Sequence, residues 1–202
     1  RMDISGENFI RKYIAAFIYD KLENGNMPSI FAYYGSISKN EARRRLENSP
    51  EFVASVIDQI AYEMSWHLKT RTVREHIYMV VPEEKLVDIV DGMSGKIRTL
   101  GLEKMIMQLY EVLAKEAADE LWTAKVGLFQ VASIPGRGQA YGKKYIERWM
   151  SRDPEGTKYC VQSDIKKCYP SMSHDKILEF LRRDLGKSDM LLYLFETLIG
   201  LY

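Results

Sequence analysis

A single aspartate, Asp164, stands where the sequence changes from a β-type pattern to an irregular turn. Residues 158–164 alternate two sets of side chains, with Tyr159 and Val161 on one side, so they predict a short strand that Asp164 ends. A carboxylate at the end of a rigid strand is open to a ligand, and Mg²⁺ prefers such oxygen ligands together with substrate phosphates. On spacing alone, however, capping of the next turn is the better interpretation.

Positive charge is concentrated before and around this aspartate, although the chain of 202 residues has a formal net charge of only +1. The basic residues between positions 134 and 167 are Arg137, Lys143, Lys144, Arg148, Arg152, Lys158, Lys166 and Lys167. The acidic residues there are Glu147, Asp153, Glu155 and Asp164. By itself such a cluster is more often a solvated surface than a phosphate track, and a near-neutral chain counts mildly against nucleic-acid binding.

Arg137 lies between two glycines, Gly136 and Gly138. Glycine lets another backbone approach closely, and arginine grips a phosphate with two parallel hydrogen bonds. The alternative is an exposed turn without a ligand. We favour the phosphate-binding interpretation.

Helical periodicity dominates the amino-terminal part of the chain. Ser5 is expected to cap a first helix with apolar positions that include Ile10 and Ile14. A second helix is expected after Ser49, with Pro50 at the first position, where proline is tolerated. Its expected buried face is Phe52, Val56, Ile60 and Met64.

The pattern changes after residue 71. Residues 76–81 are rich in β-forming side chains and predict a strand, and residues 86–100 predict a hairpin around the turn cluster 91–95. Further helices are expected at 140–150 and from Ser173 to Gly186. A long helix before them has the expected apolar face Ile106, Leu109, Leu113, Ala117 and Leu121. Helices and strands mixed without regular alternation predict an α+β fold.

Composition indicates a chain without a membrane span. No apolar run approaches the roughly 20 residues that a bilayer-spanning helix needs, and the first residues lack the apolar stretch of a signal peptide. Cys160 and Cys168 are the two cysteines, which form no disulfide framework and suit a reducing cytoplasm. We therefore expect a cytoplasmic protein.

The segment from Asp164 to His174 resembles the first palm motif of bacterial and phage reverse transcriptases. In that family an aspartate is followed five positions later by an aromatic residue, here Tyr169, and then by a Pro-Ser-hydrophobic-x-His segment that opens a helix. Upstream, Lys96-Ile97-Arg98 looks like the basic fingers strand that handles the incoming triphosphate. Residues 133–140 resemble the family's Gly-Arg element, which lies along template and nucleotide.

The resemblance implies an architecture in three parts and covers the chain from about residue 72 onward. A predominantly helical region at 1–71, which matches no family that we can name, precedes a fingers-like region of a hairpin and helices at 72–157. Residues 158–202 would then begin a right-hand polymerase palm. The family has a later Tyr-x-Asp-Asp-type motif, which this sequence lacks, and the first residue is arginine. We therefore expect a fragment that is inactive alone and that the remainder of the palm and a thumb would complete.

The same resemblance implies roles for individual residues. Asp164 would be catalytic and, with Ile165, would bind metal, with two Mg²⁺ ions in the complete site. The residues implied in nucleotide binding are Lys96, Arg98, Tyr169 and Ile165. Those implied in nucleic-acid binding are Arg137, Gly138, Gln139, Lys143 and Lys144.

Two functions from different classes remain open at this point. The first is an RNA-directed DNA polymerase, a nucleotidyltransferase that uses an RNA template, a DNA or RNA primer and deoxynucleoside triphosphates. A template-independent terminal transferase is a close enzymatic variant. The second is a non-catalytic nucleic-acid-binding or assembly module with a polymerase-like fold, which the near-neutral charge and the missing aspartates favour for this fragment.

The resemblance generates a prediction about sugar selection. An aromatic ring at Tyr169, under the incoming sugar, would leave no room for a 2′-hydroxyl, so the cost falls on the wrong substrate. Tyr169→Val in the complete enzyme should therefore keep part of the deoxynucleotide addition and raise the ratio of ribo- to deoxynucleotide incorporation markedly. If Tyr169 is instead a core residue, the ratio stays unchanged and the free energy of unfolding falls by a few kcal/mol, as for other large-to-small core changes.

Overall fold

The computed structural model describes residues 3–23, 28–80, 85–90, 92, 95–127, 129–132, 134–166, 168, 171–186 and 189–202. Helices make up most of this part of the chain, and the one sheet found there has two strands. The helices are α1 (Glu7–Glu23), α2 (Pro28–Gly35), α3 (Lys39–Asn48), α4 (Pro50–Thr70), α5 (Val73–Met79), α6 (Met105–Ala117), α7 (Asp119–Lys125), α8 (Gln139–Arg152), α9 (His174–Leu185) and α10 (Asp189–Ile199). The strands are β1 (Lys85–Val90) and β2 (Ile97–Leu102). The expected α+β class is confirmed at this coarse level.

The chain divides into two compact units. The first unit comprises residues 1–118 and 178–202, and the second comprises residues 119–177. The three segments expected from the sequence, 1–71, 72–157 and 158–202, rest on a family resemblance and stay a prediction. None of the helices in the described residues has both the length and the apolar character required to cross a bilayer.

The core of the first unit is built by helices with apolar side chains at helical spacing. Ile10, Ile14 and Ile18 recur every fourth residue on α1, and all three are fully buried. α1 packs against α4 and α6. On α4 the expected face is confirmed, since Val56, Ile60 and Met64 are buried and Phe52 is half-buried; further buried residues of this helix are Val53, Ile57, Ala61 and Leu68.

The two expected helix starts in the amino-terminal part have different outcomes. Ser49 caps α4 as predicted, because its Oγ accepts a hydrogen bond from the Phe52 N–H at 3.4 Å and Pro50 follows at the first helical position. The prediction for Ser5 was wrong. α1 begins at Glu7, and the Ser5 hydroxyl donates instead to the Asp3 carboxylate at 2.7 Å. The Ser5 carbonyl accepts from the Ser65 hydroxyl at 2.6 Å, which fixes this buried residue against α4.

The predicted strand at 76–81 was wrong: residues 73–79 form helix α5, and Val81 lies outside the described residues. The buried side chains are Val73, His76, Ile77 and Val80, which is helical spacing. Tyr78 and Met79 face solvent, with 62% and 60% of their surface exposed. The helical spacing of the buried residues, which include His76, therefore outweighs the β-forming composition of this segment.

The predicted hairpin at 86–100 is confirmed and slightly longer than expected. β1 and β2 pair antiparallel, from Lys85 opposite Leu102 to Val90 opposite Ile97. Thr99 Oγ1 donates to the Asp88 carboxylate at 2.6 Å across the strands. Of the turn cluster 91–95, Gly92 and Gly95 are described, and Gly95 has a positive φ of 66°, which glycine adopts without strain.

The long helix predicted from residue 106 to residue 121 is interrupted. Ile106, Leu109 and Leu113 are buried on α6 as expected. α6 ends at Ala117, and the following Ala118 N–H is shared between the carbonyls of Ala114 and Lys115. Such sharing is common at helix ends. The expected member Leu121 consequently lies on the separate helix α7 and is half-buried.

The second unit contains α8 and the segment that leads to Asp164. The helix expected at 140–150 is confirmed, since α8 spans Gln139–Arg152. The strand expected at 158–164 is not formed. Tyr159 and Val161 are 92% and 90% exposed. A strand needs hydrogen-bonded neighbours, and no described strand pairs with this segment.

The packing of α4 predicts a sharp contrast between two neighbouring positions. Ile60 is fully buried, so Ile60→Ala should lower the free energy of unfolding by about 2–5 kcal/mol through lost contacts and a cavity. Tyr62 on the same helix is 58% exposed, and Tyr62→Ala should change it by no more than about 0.5 kcal/mol. Denaturant titration followed by circular dichroism measures both. Equal losses would show that the assigned buried face of α4 is wrong.

Candidate functional site

Asp164 lies in an exposed, irregular segment ahead of α9. In the described part of the chain, no residue hydrogen-bonds the Asp164 carboxylate, so capping of the next turn is not seen there. The turn is held instead by Ser171, whose N–H donates to the Cys168 carbonyl at 3.1 Å and whose hydroxyl donates to the Lys166 carbonyl at 3.3 Å. The Asp164 side chain is exposed.

The predicted helix start after Asp164 is confirmed. α9 begins at His174, and Ser173 occupies the capping position, where its Oγ accepts from the Lys176 N–H at 3.4 Å. Gly186, the expected end of this helix, has a positive φ of 58°. Ile165 is 68% exposed beside Asp164. Tyr169, the expected nucleotide contact, lies outside the described residues.

The Gly-Arg element is a loop that Arg137 holds together. Arg137 Nη1 donates to the carbonyls of Gly127 and Gln130, each at 3.0 Å, and its guanidinium lies over the Tyr141 ring. Gly136 has a positive φ of 73°, a conformation that favours glycine. Arg137 therefore joins the loop at 127–130 to the start of α8, a structural role that the glycine pattern did not reveal.

The other residues of the predicted nucleic-acid site follow on α8. Gly138 is the residue before this helix, and Gln139 is its exposed first residue. Lys143 Nζ lies 3.7 Å from the Glu147 carboxylate one turn along, an exposed pair of small energetic value. The Lys144 side chain is exposed. All these residues belong to one loop and helix of the second unit.

The predicted triphosphate-binding residues belong to the first unit. Lys96 is exposed directly before β2, and Arg98 lies in β2 opposite Ile89. The side chain of Arg98 lies outside the described part of the structure. Among the described residues, no group of three or more His, Cys, Asp or Glu side chains is arranged to hold a metal ion.

The chain has no match among protein-family models, curated proteins or solved structures. The polymerase resemblance therefore rests on the motifs of the sequence itself.

A buried polar cluster, which the sequence did not reveal, lies in the first unit. His76 is 1% exposed, and its Nδ1 lies 2.8 Å from the Tyr110 hydroxyl. Its Nε2 lies 3.2 Å from both the Glu63 carboxylate and the Tyr34 hydroxyl, and this hydroxyl donates to Glu63 at 3.0 Å. One arrangement satisfies every group: Tyr110 donates to Nδ1, and His76 Nε2–H and Tyr34 both donate to Glu63.

A second histidine packs against this cluster. The rings of His67 and His76 are stacked, with centroids 4.1 Å apart and planes 13° from parallel. His67 Nδ1 lies 2.7 Å from the Thr72 hydroxyl. Burial lowers the pKa of His67, and the neighbouring His76 lowers it further, because two charged imidazoles at this distance would repel. Hydrogen bonds, first from His76 and then from Tyr34, lower the pKa of Glu63 despite its partial burial.

The signal that could have revealed this cluster is the helical spacing of its members. Glu63 and His67 are four residues apart on α4 and therefore share a face. The groups of the cluster hydrogen-bond one another, and Glu63 is the partly exposed member, at 32%. No buried side-chain nitrogen or oxygen in the described residues lacks a partner. Its physical effect is on stability and on the pH dependence of folding.

The histidine pair predicts a loss of stability in acid. The folded-state pKa of His67 lies below the unfolded value of 6.5, so the unfolded chain binds the proton first as the pH falls. The free energy of unfolding should therefore fall as the pH is lowered from about 6.5 through the folded pKa, by at most about 1.4 kcal/mol per pH unit for this group. Urea titrations between pH 7 and pH 5 measure this slope.

The matched variants are His67→Gln, which removes the titrating ring, and His174→Gln, which removes the exposed third histidine. The slope should decrease in the first variant and stay at the parent value in the second. An unchanged slope in a folded His67→Gln protein would contradict the assignment.

Proposed function

We propose that the chain is part of an RNA-directed DNA polymerase of the reverse transcriptase type. The observation that carries the proposal is the motif from Asp164 to His174, in which an aspartate, an aromatic residue and a Pro-Ser-hydrophobic-x-His segment have the family's order and spacing. Two local features support it. The Asp164 carboxylate is open to a ligand, and His174 begins a helix as the motif requires.

The chemistry of the motif fits a magnesium-dependent nucleotidyl transfer. An exposed carboxylate without a described partner is suited to Mg²⁺, which takes one or two protein carboxylates together with waters and substrate phosphates. Two such ions would stabilise the attacking and leaving oxygens. Asp164 would supply one ligand in a complete site, with Ile165 beside it.

Positively charged residues are assigned to substrate phosphates in the same proposal. Lys96 and Arg98 would neutralise the triphosphate of the incoming deoxynucleotide, and Lys143 and Lys144 would contact template or primer. One guanidinium nitrogen of Arg137 donates to two backbone carbonyls, so the main contribution of Arg137 would be to position the loop between Gly136 and Gln139. A phosphate could then approach that loop through its backbone.

A non-catalytic nucleic-acid-binding or assembly module is the second candidate. It is favoured by the near-neutral net charge of +1, since nucleic-acid-binding domains that act through a strong phosphate track are often basic. The two candidates make the same prediction for nucleic-acid binding and opposite predictions for nucleotide addition. Primer extension by the complete protein therefore separates them.

The proposed function predicts that one carboxylate is essential while a neighbouring one is not. Asp164→Asn keeps the shape and removes the charge, so primer extension on an RNA template by the complete protein should fall by orders of magnitude while folding survives. Asp175→Asn is the matched control, because Asp175 is an exposed acid in the first turn of α9. It should leave extension near the parent rate.

The assay contains Mg²⁺ and all four deoxynucleotides, and circular dichroism verifies that each variant is folded. Normal extension by Asp164→Asn would remove the assignment of this residue as a metal ligand. A complete protein that binds a primer–template but never extends it would support the second candidate.

A further inference from the structure

An aromatic stripe runs along one face of α8. Tyr141, Tyr145 and Trp149 recur at every fourth position and therefore lie one above the other. The ring centroids of Tyr141 and Tyr145 are 5.1 Å apart. Phe129, from the loop before α8, stacks on Trp149 at 5.7 Å and meets Tyr145 edge-on at 6.4 Å. These four residues are called the aromatic stripe below.

The outer end of this stripe is open to solvent. Phe129 is 73% exposed and Trp149 is 61% exposed, although both are large apolar side chains that folding normally covers. A contiguous exposed apolar surface of this kind commonly marks a binding site. The pair exposes a large area of aromatic surface, which suits a ligand with flat, apolar faces.

A basic stripe lies directly beside the aromatic one. It consists of Lys144, Arg148 and Arg152, which also recur at every fourth position and are all exposed. Each of these residues follows an aromatic residue of α8 by three positions, so the two stripes are neighbours on the helix surface. The acid of α8, Glu147, lies beside Lys143 at 3.7 Å, so its charge is directed to that lysine. The charge of this face therefore selects an anionic ligand.

We infer that this face of α8 binds single-stranded nucleic acid. Bases would stack on the aromatic stripe, and the phosphates between them would lie along the basic stripe. Stacking on aromatic side chains combined with a positive track is how proteins hold single strands with little sequence preference. A duplex is a poorer ligand, because the faces of its bases are already stacked on one another.

The inference extends the proposed function, since a templated polymerase must hold an unpaired template, but it does not depend on catalysis. Binding is measured without nucleotide addition. If Asp164→Asn abolishes extension while oligonucleotide binding by the chain is absent, only the inference fails. If binding is present but extension by the complete protein never occurs, only the polymerase proposal fails.

The first experiment uses Trp149 as its own reporter. Trp66→Phe and Trp122→Phe together leave Trp149 as the one tryptophan of the chain. Titration with oligouridylate or oligothymidylate of about 12 nucleotides should quench its fluorescence to saturation, since a stacked base contacts the ring. A hairpin duplex with the same number of phosphates should bind more weakly.

The second experiment compares matched variants by anisotropy of a labelled oligonucleotide. Trp149→Ala should weaken binding about tenfold or more, because it removes a stacking surface. Tyr62→Ala, an equally exposed aromatic of the first unit at 58%, should have no effect. Lys144→Gln with Arg148→Gln should make the slope of log affinity against log salt shallower by about 1.4, or about 0.7 for each lost phosphate contact. The control pair Lys39→Gln and Lys69→Gln should leave the slope unchanged.

Three results would overturn the inference. The first is parent-like affinity of the Trp149→Ala variant, and the second is a duplex bound as tightly as the single strand. The third is absence of single-strand binding at about 50 mM salt, where phosphate contacts are strong. Binding to anionic phospholipid vesicles in place of the oligonucleotide would identify a membrane surface instead.

Discussion

The buried imidazole of His76 is the constraint on which the first unit depends. A polar ring that is 1% exposed must have both nitrogens hydrogen-bonded, because an unpaired buried polar atom costs about 1–3 kcal/mol. Its partners come from α2, α4 and α6, through Tyr34, Glu63 and Tyr110. The hydrogen bonds of this one ring therefore connect four helices, α2, α4, α5 and α6. The seven residues of α5 would be too few to form a stable helix by themselves.

The same short helix also anchors the end of the chain. The Val73 N–H donates to the Tyr193 hydroxyl at 3.1 Å, and Arg74 donates to the Gly200 carbonyl at 2.8 Å. α10 adds Leu191, Leu194 and Leu198 to the core, each no more than 5% exposed. α10 packs against α5 and α6, so residues far apart in the sequence complete one core. Loss of α10 would therefore expose apolar surface of both helices.

Local sequence patterns predicted those elements whose structure is caused by interactions between residues close in sequence. Ser49 and Pro50 begin α4 because capping is a short-range interaction, and the spacing of Val56, Ile60 and Met64 directly gives its buried face. Local patterns failed where the cause is distant. α5 contains β-forming residues, and its helical state follows from the partners of His76. The segment before Asp164 alternates like a strand, yet no described strand pairs with it.

For the same reason only part of the candidate site was predictable. The basic character of 134–167 is a property of composition, whereas the bonds from Arg137 to the carbonyls of Gly127 and Gln130 depend on a loop conformation that no spacing rule gives.

The exposed, irregular segment before Asp164 should make the chain vulnerable to proteases. A protease binds its substrate as an extended strand, and exposed segments outside regular structure are the preferred sites of cleavage. Tyr159 is 92% exposed in such a segment and is an aromatic residue of the kind that chymotrypsin-type enzymes accept. The core residues of α1 and α4, by contrast, are enclosed in helices. Brief digestion should therefore cut first near Tyr159, within a few residues of the aspartate on which the proposed chemistry depends. Resistance of the chain to this cleavage would indicate that a ligand or a partner covers the segment.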